Sequence, residues 1–378
     1  MSLLADSENL LNTTFQTWKK GYDDQTTAIH VILAMLKDKA KINEDGSGLF
    51  IQKTQKNKQH QLEGQGDLEQ LVFNRVSLFE RAQLDWRALK MTAMISEKES
   101  RQNKGKAALV RYATSLMEEM KDDADDQVGA VFYADGNAAT NLLKPHGCLS
   151  WFGYTQGSQN TTDAFATVPS DTYAGLSTVL GAYGGSGTNS GDVFKANSTS
   201  PEWNAFTPVI VNSIYDPGSD PRTWATHPEE LIGRAGLHAG KSSKEKDSID
   251  VFCVSRAKML ELRGSQRDRQ RFMVSDKQTS RVVRLGFKGV INVDGYDVVV
   301  DDDVPATDNA GREISAVGWN FDKLSLELMS GSDASSKGFW NNSRSFYDKD
   351  QEVMKFKLGM WGNLLAQIRY QALITSCG

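Results

Sequence analysis

The feature that most constrains the fold is a helical stretch that begins at residue 96. Ser96 and Glu99 form a capping-box pattern, in which two side chains satisfy the first free backbone N–H groups of a helix. After an expected kink at Gly105, apolar residues recur at the spacing of one helix face: Leu109, Tyr112, Ala113, Leu116, Met117 and Met120. A helix over 106–126 would be about 30 Å long. The acidic run 118–126 would lie at its unfavourable C-terminal end, as a solvated face rather than a cation site.

Three other segments predict β structure. Residues 249–254 are typical of a buried strand, and Ser255 is the expected cap of the helix that follows. Residues 290–300 predict a hairpin, because an Asp-Gly pair separates two apolar runs. Residues 354–374 alternate in two runs around 361–363, which predicts an antiparallel pair with one buried face. Together with the helices, this indicates an α+β protein.

The first quarter of the chain combines short helices with a polar excursion. Residues 8–40 predict two short amphipathic helices, which serve either as core or as an arm that docks on a neighbour. Residues 52–70 are polar, and the apolar alternation over 84–95 changes phase, which predicts a bulge or bend. We expect a long two-stranded excursion that is poorly stable alone and must lie on something.

Composition narrows the class of function. The 378 residues allow two or three domains, and 43 Lys and Arg against 48 Asp and Glu give a net charge of −5. That charge argues against a protein that grips nucleic acid through a basic surface. Residues 134–240 are rich in Gly, Ser, Thr and Asn but carry scattered aromatics, which indicates a loop-rich insertion rather than a linker.

The chain also lacks the marks of an exported or membrane protein. Cys148, Cys253 and Cys377 are too far apart to predict a disulfide framework or a zinc site, so a reducing compartment is expected. No signal peptide is evident and no apolar run could span a bilayer. We therefore expect a protein made in a cytoplasm that stays soluble or assembles.

One motif suggests an enzyme. Residues 235–242, ending in Gly240-Lys241-Ser242, fit a permissive phosphate-loop pattern, which keeps a nucleotide-binding enzyme as the alternative function. The βαβ context of such a loop is missing. Residues 301–303 are three aspartates that could bind a hard cation, although a strand end explains them more simply. We predict no catalytic, cofactor-binding or metal-binding residues, and expect no enzyme.

Four stretches, taken in order, carry a resemblance to a known family. They are residues 95–106, residues 250–255 with 271–272, residues 286–301 with Pro305, and residues 362–373. The chain resembles the major capsid protein of tailed bacteriophages, with the Hong Kong 97-type capsid fold. The resemblance implies an N-terminal arm (1–42), an extended β-hairpin loop (43–95), a peripheral domain with a long spine helix (96–136 and 317–378), and a Gly-rich axial domain (137–316).

The family also implies the function and the residues that serve it. The chain would self-assemble through hexamers and pentamers into an icosahedral shell that encloses packaged double-stranded DNA without sequence specificity, which suits its mild negative charge. The extended loop would contact a neighbouring subunit through Lys53, Lys56, Lys58, Leu71, Phe73 and Trp86. The spine helix would include Arg101, Leu109, Tyr112, Leu116 and Met120 as its characteristic residues.

The remaining implications concern partners and location. A portal, a separate scaffold and a cement or decoration protein are the expected partners, with no membrane. The protein would be made in the host bacterial cytoplasm and end in the virion capsid. In some relatives a loop lysine is crosslinked to an asparagine of the next subunit, and Asn341 and Asn342 lie in a suitable region for that role.

Overall fold

The structure is a computed structural model, and the chain divides into two compact units. The residues it describes are 13–15, 18, 25–26, 28–56, 60, 78–102, 106–153, 164–165, 171–179, 182, 206–215, 221–240, 247–268, 281–308, 310–330 and 338–376. The first unit comprises Met1–Ile51, Asp85–Gly147 and Ser325–Leu365, and the second comprises Gln52–Leu84, Cys148–Leu324 and Ala366–Gly378.

The described residues form a mixture of helices and strands. The helices are α1 (Val31–Asp38), α2 (Glu97–Gln102), α3 (Lys106–Val131), α4 (Pro228–His238), α5 (Arg256–Asp268) and α6 (Arg281–Arg284). The strands are β1 (Ile42–Gly46), β2 (Phe50–Lys56), β3 (Phe79–Asp85), β4 (Arg87–Ser96), β5 (Thr172–Tyr173), β6 (Leu176–Ser177), β7 (Val209–Asn212), β8 (Ile214–Tyr215), β9 (Arg222–Thr223), β10 (Val251–Val254), β11 (Ile291–Val293), β12 (Tyr296–Val300), β13 (Ile314–Trp319), β14 (Leu324–Met329), β15 (Arg344–Asp348), β16 (Val353–Ala366) and β17 (Ala372–Thr375).

The first unit is a five-stranded sheet with the long helix packed on it. The strands run in the order β1-β14-β16-β15, and β4 pairs with β16 along its whole length in antiparallel register. Helix α3 packs against β4. It buries Leu109, Ala113, Met117, Met120, Ala124 and Val128. The apolar face predicted from the spacing is therefore confirmed.

The predicted position of the acidic run in this helix was wrong. Helix α3 continues to Val131, so the acidic side chains from Glu118 to Asp126 lie in its C-terminal half but before its last turn. Most of them are exposed, whereas Ala124 and Val128 are buried. The apolar face continues past the acids because buried residues recur every three or four positions.

Helix α1 belongs to the core of its own chain. All six residues from Val31 to Leu36 are buried, so the helix is covered on every side rather than amphipathic. Upstream, Phe15 is buried and its ring lies 5.8 Å from that of Phe356 in β16. These contacts favour core packing for this part of the chain over docking on a neighbour.

The second unit has a six-stranded sheet in the order β11-β12-β10-β13-β17-β7. The predicted buried strand is β10, which pairs with β12 in parallel and β13 in antiparallel register. Its helix starts as expected, since the Lys258 N–H donates to Ser255 Oγ at 3.4 Å. The predicted hairpin is β11–β12, with positive φ at Asp294 and Gly295, as a tight primed turn requires.

The antiparallel pair predicted at the C-terminus was wrong. Strand β16 continues through Gly362 and Asn363, and β17 leaves to join β13 and β7 in the other sheet. A Cβ on Gly362 would lie 2.6 Å from the Glu327 carbonyl oxygen, so this glycine allows two strands to approach closely rather than making a turn.

The bulge or bend predicted within 84–95 is a break between two strands. Strand β3 ends at Asp85, and β4 starts at Arg87 and pairs with β16, whereas β3 pairs with β2 in a separate two-stranded sheet. The change of apolar phase marks the passage from one sheet to another, with Trp86 between them.

Candidate functional site

The predicted contact residues of the extended loop are only partly within the described residues. Lys53 is half-buried and Lys56 exposed on β2, whereas Lys58, Leu71 and Phe73 lie outside the residues that the structure describes. Strands β2 and β3 form the two-stranded sheet expected at the base of the excursion. Contact with a neighbouring subunit stays a prediction for all five side chains.

The base of this loop is held by its own chain. One face of each strand is buried, at Ile51 and Gln55 in β2 and at Ala82 and Leu84 in β3. The Gln83 N–H donates to the Ala174 carbonyl at 2.9 Å. The opposite face carries two exposed aromatic side chains, Phe50 (41% exposed) and Phe79 (54%), and Leu49 (84%) is exposed in the bend before β2. An isolated two-stranded sheet with such a face needs a covering surface.

The Trp86 side chain is held by a hydrogen bond within its own chain. Its indole Nε1 donates to the Gly48 carbonyl at 3.0 Å, and the side chain is half-buried. The hydrogen bond ties the start of β4 to the turn before β2. Trp86 therefore positions the loop, and any contact it makes with a neighbour involves only its exposed part.

Ser96 and Glu99 form the predicted capping box at the start of α2. The Ser96 N–H donates to Glu99 Oε2 at 2.9 Å, and the Glu99 N–H donates to Ser96 Oγ at 3.3 Å. The backbone hydrogen bond from Ser96 is the main cause that lowers the pKa of Glu99, with a further contribution from the Tyr112 hydroxyl. Arg101 lies in α2, and its side chain is outside the description.

The other spine-helix residues face their own unit. Leu109 and Met120 are buried, and Tyr112 and Leu116 are half-buried. They join the apolar face of α3 that packs against β4, so their role in this chain is internal packing.

A partly buried set of hydrogen bonds holds the turns that follow α3 against strands β4 and β16. Arg87 Nη1 donates to the carbonyls of Gly136 (2.7 Å) and Lys144 (2.9 Å). Asn363, fully buried, accepts at Oδ1 from the His146 N–H at 2.8 Å. Burial, helped by the positive charge of Arg87, lowers the pKa of His146 to about 3, so the imidazole is neutral near pH 7.

Sequence reasoning missed an exposed leucine pair in the turn segment that follows α3, which itself ends at Val131. Leu142 is 55% exposed and Leu143 is 83% exposed. Other strongly exposed apolar side chains are Met94 (63%), Leu237 (75%) and Leu260 (68%). Two adjacent leucines inside an otherwise polar turn segment were the sequence signal for this surface, since turns are usually polar.

The geometry opposes the phosphate-loop alternative. Ala235 to His238 form the end of helix α4, whereas a phosphate loop follows a strand and opens a helix. Gly236 is explained by packing, because a Cβ there would collide with the ring of Tyr296. Lys241 and Ser242 lie outside the described residues.

The three aspartates over 301–303 directly follow the end of strand β12. Asp301 Oδ1 accepts from the Asp303 N–H at 3.1 Å, and Asp302 forms an ion pair with Arg256. Within the described part of the chain, no group of three or more His, Cys, Asp or Glu is placed to hold a metal ion. None of the described helices is both long and apolar enough to cross a membrane.

Comparison with known proteins identifies the fold. The sequence matches no family model and no curated protein. The structure is similar to the cyanophage A-1(L) capsid asymmetric unit, with a TM-score of 0.55, 17% identity, and coverage of 91% of this chain and 92% of that one. It is also similar to the capsid of a native GTA particle, with a TM-score of 0.51, 13% identity, and coverage of 91% of both chains. The α+β, Hong Kong 97-type capsid fold predicted from the sequence is confirmed.

Proposed function

We propose that this chain is a major capsid protein of a tailed bacteriophage, which assembles through hexamers and pentamers into an icosahedral shell around double-stranded DNA. The observation that carries the proposal is the similarity of fold to two capsid structures over 91% of the chain. The similarity extends over 91% of the chain and therefore includes residues of both compact units.

The exposed apolar side chains support assembly. They occur in both units, for example at Leu143 in the first and at Leu237 and Leu260 in the second. Adjacent exposed apolar groups, such as Leu142 and Leu143, are typical of surfaces that another molecule covers, whereas single exposed ones are ordinary. A closed shell uses several different contacts per subunit, repeated by symmetry.

Each part of the chain has a role in this proposal. The loop 43–95 covers a neighbouring subunit, residues 96–136 with 317–378 form the peripheral domain, and residues 137–316 form the axial domain around the five- and six-fold axes. A scaffold, a portal and a cement or decoration protein are proposed partners, and the shell protein acts without catalysis. Synthesis is in the bacterial cytoplasm and the final location is the virion.

Sedimentation and negative-stain microscopy test this proposal. The chain is expressed alone and with the products of its neighbouring genes. Closed shells of even size, or rings of five and six, are the expected result. A small monomer under all conditions would contradict it.

A lysine substitution separates the proposal from the phosphate-loop alternative. Lys241→Ala is expected to leave assembly unchanged, because a shell protein does not need a lysine that binds a nucleotide phosphate. Loss of a nucleotide-dependent activity together with intact folding would favour the enzyme. ATP binding and particle yield are measured on the same preparations.

The covalent crosslink is proposed only for Asn342. The Asn341 amide is buried and already makes three hydrogen bonds. Its Nδ2 donates to the carbonyls of Met329 (2.9 Å) and Trp361 (2.8 Å), and its Oδ1 accepts from the Trp361 N–H (2.7 Å). Crosslinking there would break these hydrogen bonds. Intact monomer bands on a denaturing gel of mature particles would exclude the crosslink altogether.

A further inference from the structure

The sheet of the first unit has two different sides where strands β15, β16 and β4 run next to one another. Successive side chains of a strand point to opposite sides of a sheet, and residues paired directly across strands share a side. One side is buried, at Met354, Phe356, Leu358 and Met360 of β16. The other side, here called the basic sheet face, comprises Lys90, Thr92 and Met94 of β4, Arg344, Phe346 and Asp348 of β15, and Lys355, Lys357 and Trp361 of β16.

The charges on the basic sheet face are mostly positive. Among these nine residues Asp348 is the one carboxylate, and Lys355 Nζ binds it at 2.7 Å. Within the described part of the chain, no carboxylate forms an ion pair with Lys90, Arg344 or Lys357. Partial burial, together with the positive charges of Arg344 and Lys90, lowers the pKa of Lys357. Three neighbouring cations are therefore available to an acidic partner.

The same face is partly apolar. Met94 is 63% exposed, Phe346 38% and Trp361 37%. The Arg344 guanidinium lies over the Phe346 ring, 5.3 Å from its centroid. Exposed Met, aromatic and Arg side chains in one patch are typical of a surface that another protein covers. A nucleic acid backbone would bind the cations but leave the apolar side chains exposed, so the composition favours a protein partner with both acidic and apolar side chains.

The extended loop of this chain contains a segment of that composition. Residues 61–73 include no Lys or Arg; their acidic residues are Glu63, Asp67 and Glu69, and their apolar residues are Leu62, Leu68, Leu71, Val72 and Phe73. The segment lies outside the residues that the structure describes, between the end of β2 at Lys56 and the start of β3 at Phe79. The 22 residues of this interval allow a reach of up to about 36 Å from the base of the loop, which is enough to lie across a neighbouring subunit.

We propose that the loop segment 61–73 of one subunit docks on the basic sheet face of a neighbouring subunit, with its acidic residues beside the three cations and its apolar residues against the exposed apolar side chains. The proposal rests on the proposed function, in which the loop 43–95 covers a neighbour, and it names the surface that is covered. It also gives Leu71 and Phe73, two predicted contact residues, a binding surface. Because the loop and the face are different surfaces of the chain, the contact is head to tail.

Charge exchange across the contact tests the pairing. Arg344→Glu with Lys357→Glu makes the face acidic, and Asp67→Lys with Glu69→Lys makes the loop segment basic. Each pair alone is expected to lower the yield of closed particles at least about tenfold, because like charges then meet across the contact. All four substitutions together are expected to restore the yield to within about threefold of the wild type. Lys349→Glu, in the exposed turn between β15 and β16, is the matched control and should leave the yield unchanged.

Cysteine crosslinking tests which subunit supplies the loop. Leu71→Cys and Met94→Cys are combined in a Cys377→Ser background, since Met94 is exposed and Cys148 and Cys253 are buried. Particles treated with a bis-maleimide are expected to give covalent species of two or more chains on a denaturing gel, and each single-cysteine variant to give monomers.

The possible outcomes distinguish this inference from the proposed function. If wild-type particles close and the acidic-face variant closes equally well, the docking contact is wrong and the capsid function stands. If that variant fails to close and the exchanged charges do not restore closure, another partner covers the face and the loop is not its occupant. A crosslink within a single chain, or none, would also overturn docking on a neighbour. If the wild-type chain forms no closed particle under any condition, both proposals fail.

Discussion

Asn363→Ala is expected to be among the most destabilising single substitutions in the first unit. The side chain is fully buried and ties three segments together. Its Oδ1 accepts from the N–H groups of His146 (2.8 Å) and Leu364 (2.9 Å), and its Nδ2 donates to the Asp85 carbonyl (3.0 Å). Alanine would leave two buried N–H groups and one carbonyl without these partners.

The magnitude follows from the number of groups left unpaired. Each buried polar group that loses its partner costs about 1–3 kcal/mol, so the loss of three such partners should lower the free energy of unfolding by about 3–9 kcal/mol. That is a large part of the ~5–15 kcal/mol that stabilises a typical domain. At about 2–4 °C per kcal/mol for a domain of 150–250 residues, the melting temperature should fall by at least about 6 °C.

Thermal unfolding of the unassembled subunit, followed by calorimetry, measures this effect. Gln127→Ala is the control, because it removes an exposed amide in the same unit and should change stability by less than about 0.5 kcal/mol. A fall of less than about 2 °C for Asn363→Ala would refute the assignment of Asn363 as the hub of these hydrogen bonds.

Three further predictions concern His146, Gly236 and the loop over residues 52–66. The pKa of His146 is about 3 in the folded chain, against about 6.5 in the unfolded chain. The contribution of the neutral imidazole to stability should therefore be complete above pH 6.5, and the free energy of unfolding should fall by up to about 1.4 kcal/mol per pH unit below it. His146→Gln should flatten this dependence in melting curves recorded across pH. Gly236→Ala should lower stability by about 1–3 kcal/mol in thermal melts, since its methyl group collides with the Tyr296 ring, whereas Gly264→Ala, at an open helical position, should not lower it. Deleting residues 52–66 should leave a soluble subunit that forms no stable shells in microscopy, and normal shells would refute the assignment of this loop.

Local patterns predicted local structure well. The capping box at Ser96 and Glu99, the apolar face of α3 and the Asp294-Gly295 turn each depend on residues within a few positions of one another. Their geometry is fixed by backbone conformation and by neighbouring hydrogen bonds, so the sequence alone carries the information.

Elements that depend on distant partners were mispredicted. Gly362 and Asn363 have the composition of a turn, but their roles come from the Glu327 carbonyl and from the His146 and Asp85 backbone, which no local pattern reveals. The alternation over 84–95 predicted a bulge or bend but not the change of sheet at Trp86, for the same reason. Predicting the basic sheet face required the pairing of distant strands, since it combines side chains of β4, β15 and β16.

The central claim is tested most directly by cryo-electron microscopy of particles made from this chain. The account predicts a closed icosahedral shell in which the chain occupies both five-fold and six-fold positions, with the α3 helix and the six-stranded sheet recognisable in every subunit. A chain that remains monomeric, or particles whose wall is built from another protein, would contradict it.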